Sequence, residues 1–258
     1  MIPTDAITAW SVNHPWPTTN QVEQDLLLSR AICEIANHEV LGTELLFRGG
    51  TAFHKLHLPQ PYRYSEDLDY VRTSAGGIQH LTRALTDLGS SLGYTVRTRI
   101  SQHPKIYWRT VSGGGTPLRI KIEINTHERS PALPPMTIPF SVQSPWWTGH
   151  AHVPTFQLAE LIATKIRALY QRSKGRDLFD LWLALTQAHA DPKAIIQAFH
   201  PYRPTGLNAR LAITNLETKL HDARFTADLE PLVTKAPANY SVERAAHQVI
   251  EELLELLE

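Results

Sequence analysis

The chain has almost no cysteine and no long apolar stretch. Cys33 is the single cysteine among 258 residues, so a disulfide framework is excluded and a Cys-based zinc site is not expected. No run of about 18 apolar residues occurs, and therefore no membrane span or membrane partner is expected. The N-terminus lacks a basic segment followed by an apolar core, which is the pattern of a secretory signal. These absences favour a cytoplasmic location.

The chain also lacks an excess of positive or negative residues, but the two kinds are unevenly distributed along the sequence. Lys and Arg number 25, as do Asp and Glu, so the net charge does not indicate a nucleic-acid-binding protein. Between residues 91 and 130, seven basic residues stand against two acidic ones, and between 228 and 258 seven acidic residues stand against two basic ones. A neutral total can conceal a basic surface, although ordinary solvated surfaces have the same composition.

Hydrophobic periodicity predicts helices and strands together in the first part of the chain. Helical spacing covers 19–40 and 78–92, and a shorter helix is predicted at 51–58. Alternating segments rich in β-branched or aromatic residues predict strands at 44–47, 67–71, 94–100, 105–111, 118–126 and 140–144. The glycines at 113–115 are predicted to form a hairpin turn.

The composition changes near residue 130. The segment 129–140 contains four prolines and is predicted to be an extended connection. After Pro154 the pattern is almost entirely helical. We therefore predict an α+β fold with two lobes: a mixed β-sheet lobe over residues 1–153 and an α-helical lobe over residues 154–258.

An acidic pair lies on one face of a predicted strand. Side chains alternate along a strand, so Ser65, Asp67 and Asp69 point to the same side. Two carboxylates at this spacing repel each other but can share a cation, and Mg²⁺ prefers such oxygen ligands, often together with substrate phosphates. An exposed strand face without function has the same pattern, so the pair alone is weak evidence.

A glycine pair precedes the acidic strand. Gly49 and Gly50 lie where a predicted strand enters a predicted helix. Glycine lets the backbone approach a ligand closely, and free N–H groups at the start of a helix bind phosphate. Thr51 is predicted to cap this helix or to contact phosphate through its hydroxyl. A simple strand–turn–helix joint would have the same sequence.

A later strand adds a third carboxylate. Lys121 and Glu123 alternate with isoleucines and therefore point away from the core. If this strand pairs with the strand of Asp67 and Asp69, the three carboxylates form a set that suits two-metal chemistry. Taken alone, the pattern is that of an exposed Lys–Glu pair.

A lysine interrupts the apolar stripe of a predicted helix in the second lobe. Lys165 lies four residues after Leu161 and four before Leu169. A lysine at such a position extends to the solvent, pairs with an acid or faces a polar cavity. The next predicted helix begins after Gly175 and has Asp177 in its first turn, where an acid also complements the helix dipole.

Two sets of basic residues are candidates for a nucleic-acid surface. The set in the second lobe is Arg167, Arg172, Lys174 and Arg176. The set on the predicted strands is Arg97, Arg99, Lys105, Arg109 and Arg119. The aromatic residues near them in sequence are Tyr107, Trp108, Trp146 and Trp147. Together these groups could line a groove between the lobes and suit an RNA backbone with an unstacked 3′ end, although such aromatics are more often core residues.

The motifs, in this order, resemble the polymerase-beta-type nucleotidyltransferases and, more closely, the AbiEii-type nucleotidyltransferase toxins. That family includes the MenT toxins of type IV toxin–antitoxin systems. It typically shows GGTA…K, then R-x-S-x-D-L-D-F. Here the first motif is Gly49–Ala52 with Lys55, and the second is RYSEDLDY at 63–70, in which Tyr70 replaces Phe. The resemblance covers about residues 20–185.

The resemblance implies an enzyme that moves nucleotides from an NTP, with a pyrimidine favoured, to the 3′ acceptor end of tRNA. Such transfer blocks aminoacylation and translation. It further implies Mg²⁺ or Mn²⁺ as the cofactor, a cognate antitoxin encoded nearby, and a helical lobe that completes the active-site cleft. We expect a monomer. Transfer to a small molecule or a protein, and a degenerate member that only binds, are the alternatives.

The resemblance also assigns roles to individual residues. It implies that Asp67 and Asp69 hold the metal. It implies nucleotide binding by a set of residues on the turn and the strands, namely Gly49, Gly50, Thr51, Ser65 and Lys121. Some relatives are silenced by phosphorylation at the serine that matches Ser65, and a phosphate there would repel NTP and compete for the metal.

The remaining catalytic roles fall on the second lobe and on Glu123. The resemblance implies that Lys165 neutralises triphosphate charge as pyrophosphate leaves. Glu123 or Asp177 would orient or deprotonate the attacking hydroxyl. Asp177 matches the acid of the R-D-x-x-D motif, and the sequence does not separate it from Asp180.

Overall fold

The chain is divided into two compact units. A computed structural model describes residues 1–100 and 103–258. The first unit comprises Met1–Leu56, Arg63–Pro131 and Pro135–Phe156, and the second comprises His57–Tyr62, Ala132–Pro134 and Gln157–Glu258. Over the described residues, no helix has both the length and the apolar character needed to cross a bilayer.

One mixed sheet organises the first unit. Over the described residues it has seven strands: β1 (Leu45–Arg48), β2 (Asp67–Arg72), β3 (Thr95–Arg99), β4 (Lys105–Val111), β5 (Pro117–Asn125), β6 (Met136–Gln143) and β7 (Thr148–Thr155). Their order is β3-β4-β5-β2-β1-β7-β6. β2 is antiparallel to β1 and parallel to β5, and β1 is parallel to β7. The mixed sheet confirms the predicted α+β class.

Helices cover one face of this sheet. They are α1 (Thr4–Asn13), α2 (Thr19–Asn37), α3 (Leu41–Glu44), α4 (Gly49–Ala52) and α5 (Gln79–Ser91), with a π-helical turn at Phe53–His57 after α4. A capping box between Thr18 and Gln21 starts α2, which packs on β5 and β7. α5 packs on β3 and β4, where the buried Trp108 donates a hydrogen bond from Nε1 to the Leu85 carbonyl oxygen at 3.0 Å. The opposite face of β2 and β5 carries the predicted site residues.

The second unit is helical. Its helices are α6 (Leu158–Gln171), α7 (Gly175–Thr186), α8 (Pro192–Phe199), α9 (Ala209–Leu220), α10 (Ala223–Thr226) and α11 (Val242–Glu252). α6 packs against α7 and α8, and α7 packs against α11. The buried Glu160 accepts hydrogen bonds from the backbone N–H groups of Ala132 and Leu133, at 2.7 and 3.0 Å. This carboxylate therefore fixes the short segment 132–134 to the helical unit.

The region between residues 130 and 155 differs from its prediction. β6 begins at Met136, inside the segment predicted as an extended connection, and β7 was not predicted. β6 is an edge strand, so Pro139 can lie within it without removing an inner ladder hydrogen bond. In β7 the buried positions are Ala151, Val153 and Thr155, and this alternation of small residues is a weak strand signal. The strands predicted elsewhere in the first lobe are present, and so are its two long helices, predicted at 19–40 and 78–92.

Candidate active site

The glycine turn after β1 lies directly against Asp69. The antiparallel register pairs Arg48, the last residue of β1, with Asp69 on β2. Gly49 follows with a φ of 79°, in the left-handed region that favours glycine. A Cβ atom at Gly49 would lie 2.4 Å from Asp69 Oδ2. The absence of a side chain at this position is therefore what lets the turn and the carboxylate lie together.

Hydrogen bonds hold the next residues of the turn to β2. A Cβ atom at Gly50 would lie 2.5 Å from Arg63 Nη2 and 3.2 Å from Ser65 Oγ. Thr51 Oγ1 donates to the Asp67 carbonyl oxygen at 2.6 Å and lies 2.8 Å from Ser65 Oγ. Thr51 lies inside α4, whose N-cap residue is Arg48, so the prediction that Thr51 caps the helix is wrong. Its buried hydroxyl instead fixes the distance between the turn and β2, and its contact with phosphate stays a prediction.

Three carboxylates share one face of the sheet. β2 and β5 are parallel, and their register pairs Asp67 with Lys121 and Asp69 with Glu123. The strand of Glu123 therefore pairs with the strand of Asp67 and Asp69, and Glu123 is a third carboxylate beside the acidic pair. Lys121 Nζ lies 2.6 Å from Asp67 Oδ2 and 3.4 Å from Glu123 Oε2, and Lys105 Nζ lies 3.4 Å from the same Glu123 oxygen.

The electrostatics of this face favour an added cation. Burial, and then the charge of Asp67, raise the pKa of Asp69, while Arg48 and Lys121 act in the opposite direction. Burial would lower the pKa of Lys121, but its hydrogen bond to Asp67 and the nearby acids hold that pKa above its ordinary value. Negative charge is thus concentrated here, and Lys121, Lys105 and Arg48 partly compensate it.

The donor set fits a hard divalent cation that arrives with a nucleotide. Carboxylate oxygens are the ligands that Mg²⁺ prefers, and this ion is commonly held by one or two carboxylates together with substrate phosphates. Asp67 and Asp69 supply such a pair on one face, and the site already attracts the ammonium group of Lys121. Among the described residues, no group of three or more His, Cys, Asp or Glu side chains is arranged to hold a metal by itself.

Arg48 belongs to this site, although the sequence did not single it out. Its guanidinium donates to Glu128 Oε2 at 2.9 Å and lies 5.5 Å from the centroid of the Phe156 ring. Its charge lowers the pKa of Asp69 against the effect of burial. The signal that could have identified it is its position next to Gly49, at the end of a strand that enters the turn.

In the second unit, Lys165 is paired with two buried carboxylates. Its Nζ lies 2.8 Å from Asp180 Oδ2 and 3.4 Å from Asp177 Oδ1, and both carboxylates are fully buried. Arg172 donates to both oxygens of Asp177, from Nε at 2.6 Å and from Nη2 at 2.8 Å. Burial acts to raise the pKa of Asp177, but Lys165 and Arg172 together hold it below its ordinary value.

The contacts distinguish Asp177 from Asp180, which the sequence did not. Asp177 is engaged on both oxygens by Arg172, a bidentate arrangement that fixes the start of α7. Asp180, one helical turn later, is the closer partner of Lys165. A lysine in an apolar stripe was expected to extend to the solvent, to pair with an acid or to face a polar cavity. Lys165 pairs with acids. Its role in catalysis, and that of either acid, stays a prediction.

The other basic residues of the set predicted to bind tRNA also have partners within the second unit. The guanidinium of Arg167 lies 5.4 Å from the centroid of the Tyr202 ring. Lys174 Nζ and Arg176 Nε lie 3.3 and 3.6 Å from the two carboxylate oxygens of Asp228. The two ion pairs hold the start of α7 to Asp228, and the predicted binding of tRNA by this set stays a prediction.

Gly49→Ala is expected to disturb the site beyond its effect on the backbone. A left-handed conformation costs a residue with a Cβ roughly 1–2 kcal/mol, and here the new methyl group would also displace the Asp69 carboxylate. We expect nucleotide transfer to fall by about 10²-fold, because small displacements of reacting groups are costly. Initial rates and thermal unfolding measure the two effects separately.

Gly93→Ala is the matched control for this substitution. Gly93 has a φ of 85°, and a Cβ atom there would meet nothing within 4 Å. It should therefore lose a similar amount of stability while its transfer rate stays close to that of the unsubstituted protein. Equal transfer rates in the two variants would show that the contact between Gly49 and Asp69 does not matter for the reaction.

One protein family and two solved structures are similar to this chain. The sequence model of the family described as nucleotidyl transferase AbiEii toxin, type IV TA system, matches residues 30–252. No curated protein sequence shows significant similarity. The fold is similar to that of MenT4, a nucleotidyltransferase toxin from Mycobacterium tuberculosis H37Rv, with a TM-score of 0.63 and 15% identity over 98% of this chain and 90% of that one.

A second structural match is weaker. An antigenic nucleotidyltransferase-like protein from Paracoccidioides brasiliensis aligns with a TM-score of 0.39 and 18% identity, over 82% of this chain and 92% of that one. The family match spans most of the sequence and includes the glycine turn, the acidic pair, Glu123 and Lys165. The chain therefore belongs to the AbiEii nucleotidyltransferase toxin family of type IV toxin–antitoxin systems.

Proposed function

We propose that this nucleotidyltransferase adds nucleotides from an NTP to the 3′ end of tRNA in a metal-dependent reaction, so that aminoacylation and translation stop. Nucleotide transfer and a cognate antitoxin follow from the family. The observation that supports the finer statement is the register that places Asp67, Asp69 and Glu123 on one face, beside the glycine turn that begins at Gly49. Because tRNA is the proposed acceptor, the cytoplasm is the proposed location.

Each residue of this face has a proposed part in the reaction. Asp67 and Asp69 hold Mg²⁺ or Mn²⁺, which when bound neutralises phosphate charge and polarises the reacting phosphorus. The backbone of the glycine turn lies directly against Asp69, so its N–H groups are proposed to contact the triphosphate beside the metal position. Lys121 already bridges Asp67 and Glu123, and it can exchange a carboxylate oxygen for a phosphate oxygen.

Glu123 is the proposed proton acceptor. It lies opposite Asp69 on the neighbouring strand, and its Oε2 atom is 3.4 Å from the ammonium groups of both Lys105 and Lys121. A carboxylate acting as a general base accepts the proton of the attacking hydroxyl. The oxygen of the RNA 3′ hydroxyl would bond to the α-phosphorus as its proton passes to Glu123, and the bond to pyrophosphate would break.

Phosphorylation of Ser65 is proposed as a way to silence the enzyme. Ser65 Oγ lies 2.8 Å from Thr51 Oγ1, between the glycine turn and the acidic strand. A phosphate on this oxygen would carry a charge of about −1.5 to −2. It would repel the triphosphate and compete with Asp67 and Asp69 for a cation.

Transfer itself is the direct test. The protein is incubated with Mg²⁺, total tRNA and each labelled NTP in turn, beside the Asp69→Asn variant. We expect label on tRNA from one class of NTP, and none in the variant, because the acidic pair has lost a charge at the metal position. Label that is added beyond the 3′ end can be located by digestion of the tRNA.

The same assay distinguishes a tRNA acceptor from a small-molecule or protein acceptor. Absence of label on tRNA with all four NTPs, in a protein that still binds NTP in the presence of Mg²⁺, would contradict the tRNA acceptor. Nucleotide transfer to a small molecule or to a protein would then be the function to test, and the acidic pair would keep its proposed role.

A further inference from the structure

The face of the sheet that carries the acidic pair continues as a basic surface toward β3. The register places Asp67 opposite Lys121, Lys121 opposite Tyr107, and Tyr107 opposite Arg97. These four residues form one row across β2, β5, β4 and β3. Neighbouring strands lie about 4.8 Å apart, so the row extends about 14 Å from the acidic pair to the edge strand.

Two further rows run parallel to this one. The first joins Asp69 and Glu123 to Lys105 and Arg99, and the second joins Arg119 to Arg109. We call the resulting surface the basic face, and it consists of Arg97, Arg99, Lys105, Arg109, Arg119 and Lys121. Within the described parts of β3, β4 and β5, Glu123 is the one acid on this side of the sheet.

The four arginines of the basic face are open to the solvent. Arg97, Arg99, Arg109 and Arg119 are all exposed, whereas the alternate residues of β4 and β5 are mostly buried. Over the described residues, none of these four guanidinium groups lies within ion-pair distance of a carboxylate. Four uncompensated positive charges within three strands repel one another, and a polyanion would relieve that repulsion.

An aromatic ring stands between the arginines and the carboxylates. Tyr107 is partly exposed, and the guanidinium of Arg119 lies 5.8 Å from the centroid of its ring. A tyrosine that is flanked by cations is a surface on which an unpaired base can stack, and stacking is worth about 1–3 kcal/mol per base. Trp108, its neighbour on β4, is fully buried and belongs to the core.

We propose that the single-stranded 3′ end of the RNA acceptor lies along the basic face, with its phosphates on the exposed arginines and a base on Tyr107. The inference rests on the proposed RNA acceptor. An RNA strand in this position would lead from the edge of the sheet to Asp67 and Asp69, where its terminal hydroxyl has to be. An acidic protein would also match the charge, but it would need neither the aromatic ring nor the continuity with the acidic pair.

The test compares two triple variants in binding to fluorophore-labelled tRNA. The first replaces Arg97, Arg109 and Arg119 with glutamine. The matched control replaces three exposed arginines elsewhere, Arg83, Arg210 and Arg244, with glutamine, so both variants lose the same charge. Affinity is measured by fluorescence anisotropy across a series of salt concentrations, and unfolding curves verify that both variants are folded.

We expect the basic-face variant to bind tRNA about 10- to 100-fold more weakly at low salt, and the control to bind normally. Each phosphate contact to a single strand contributes a slope of about −0.7 in a plot of log affinity against log salt concentration. Loss of three contacts should therefore reduce the slope by about 2. Tyr107→Ala should weaken binding further, and Tyr107→Phe should restore it, because stacking needs the ring and not the hydroxyl.

Failure of this inference can be told apart from failure of the proposed function. Labelled tRNA in the transfer assay, with unchanged binding in the basic-face variant, would overturn the inference and leave the function intact. Equal weakening in both triple variants would also overturn it, because only total charge would then matter. Selective loss of tRNA binding in the basic-face variant supports the inference when tRNA is also labelled in the transfer assay. The same loss without any labelled tRNA would overturn the proposed function and the inference together, because the bound RNA would not be the acceptor.

Discussion

Replacing Asp69 with asparagine is expected to lower nucleotide transfer by about 10³-fold, which is a loss of about 4 kcal/mol of transition-state stabilisation. Asparagine keeps the shape of the side chain and removes the charge that the proposed cation requires. Initial rates with saturating NTP and tRNA measure the effect. Asp87→Asn, at an exposed position on α5, is the matched control and should retain the full rate.

The same substitution is expected to leave the folded state as stable as before, or more stable. Burial and Asp67 raise the pKa of Asp69 in the folded protein. A group with a raised pKa binds its proton more tightly in the folded than in the unfolded state, so its ionisation disfavours folding once the pH passes the unfolded pKa. This penalty grows as the pH rises from the unfolded pKa toward the folded pKa, and Asp69→Asn removes it.

Loss of transfer together with retained or increased stability would mark Asp69 as a residue kept for its chemistry. Such a combination is typical of active sites, where function requires charges that the fold alone would not favour. Transfer by Asp69→Asn within a few-fold of the original rate would contradict the metal-dependent mechanism. A large loss of stability would instead indicate that the carboxylate is needed to hold the turn at Gly49.

Local periodicity explains how much of the site the sequence could predict. The period of two along a strand is enough to place Asp67 and Asp69 on one face, whereas Ser65 precedes β2 in the structure. It does not specify which strand lies next to β2, because β5 follows it in sequence by more than forty residues. The pairing of Asp69 with Glu123 therefore stayed conditional until the parallel register was known.

Because the sequence does not specify which strands are neighbours, it also did not show which basic residues lie beside the acidic pair. Arg97, Arg109 and Arg119 were considered together with the basic residues at 167–176, as candidates to line one groove. The register of β3, β4 and β5 instead places these three on the face of the acidic pair. In α6 and α7, helical spacing predicted the apolar stripe around Lys165, but only packing of the two helices shows that Asp180 is its closer partner.

Lys165→Met is expected to lower the free energy of unfolding by about 3–5 kcal/mol, because it leaves buried carboxylates without their compensating charge. Lys165 is 6% exposed, and Asp177 and Asp180 are fully buried beside it. Urea unfolding measures the loss. Lys193→Met, at an exposed position on α8, is the control and should change stability by less than about 0.5 kcal/mol.

The double variant Lys165→Met with Asp180→Asn separates structure from catalysis. Removing the charge of Asp180 removes the main cause of the instability, so most of the lost free energy of unfolding should return. If Lys165 supplies charge to the reaction, as the family resemblance implies, transfer should stay low although the protein is stable again. Recovery of transfer together with stability would instead show that Lys165 acts by holding α6 and α7 together, and the catalytic role would pass to other residues.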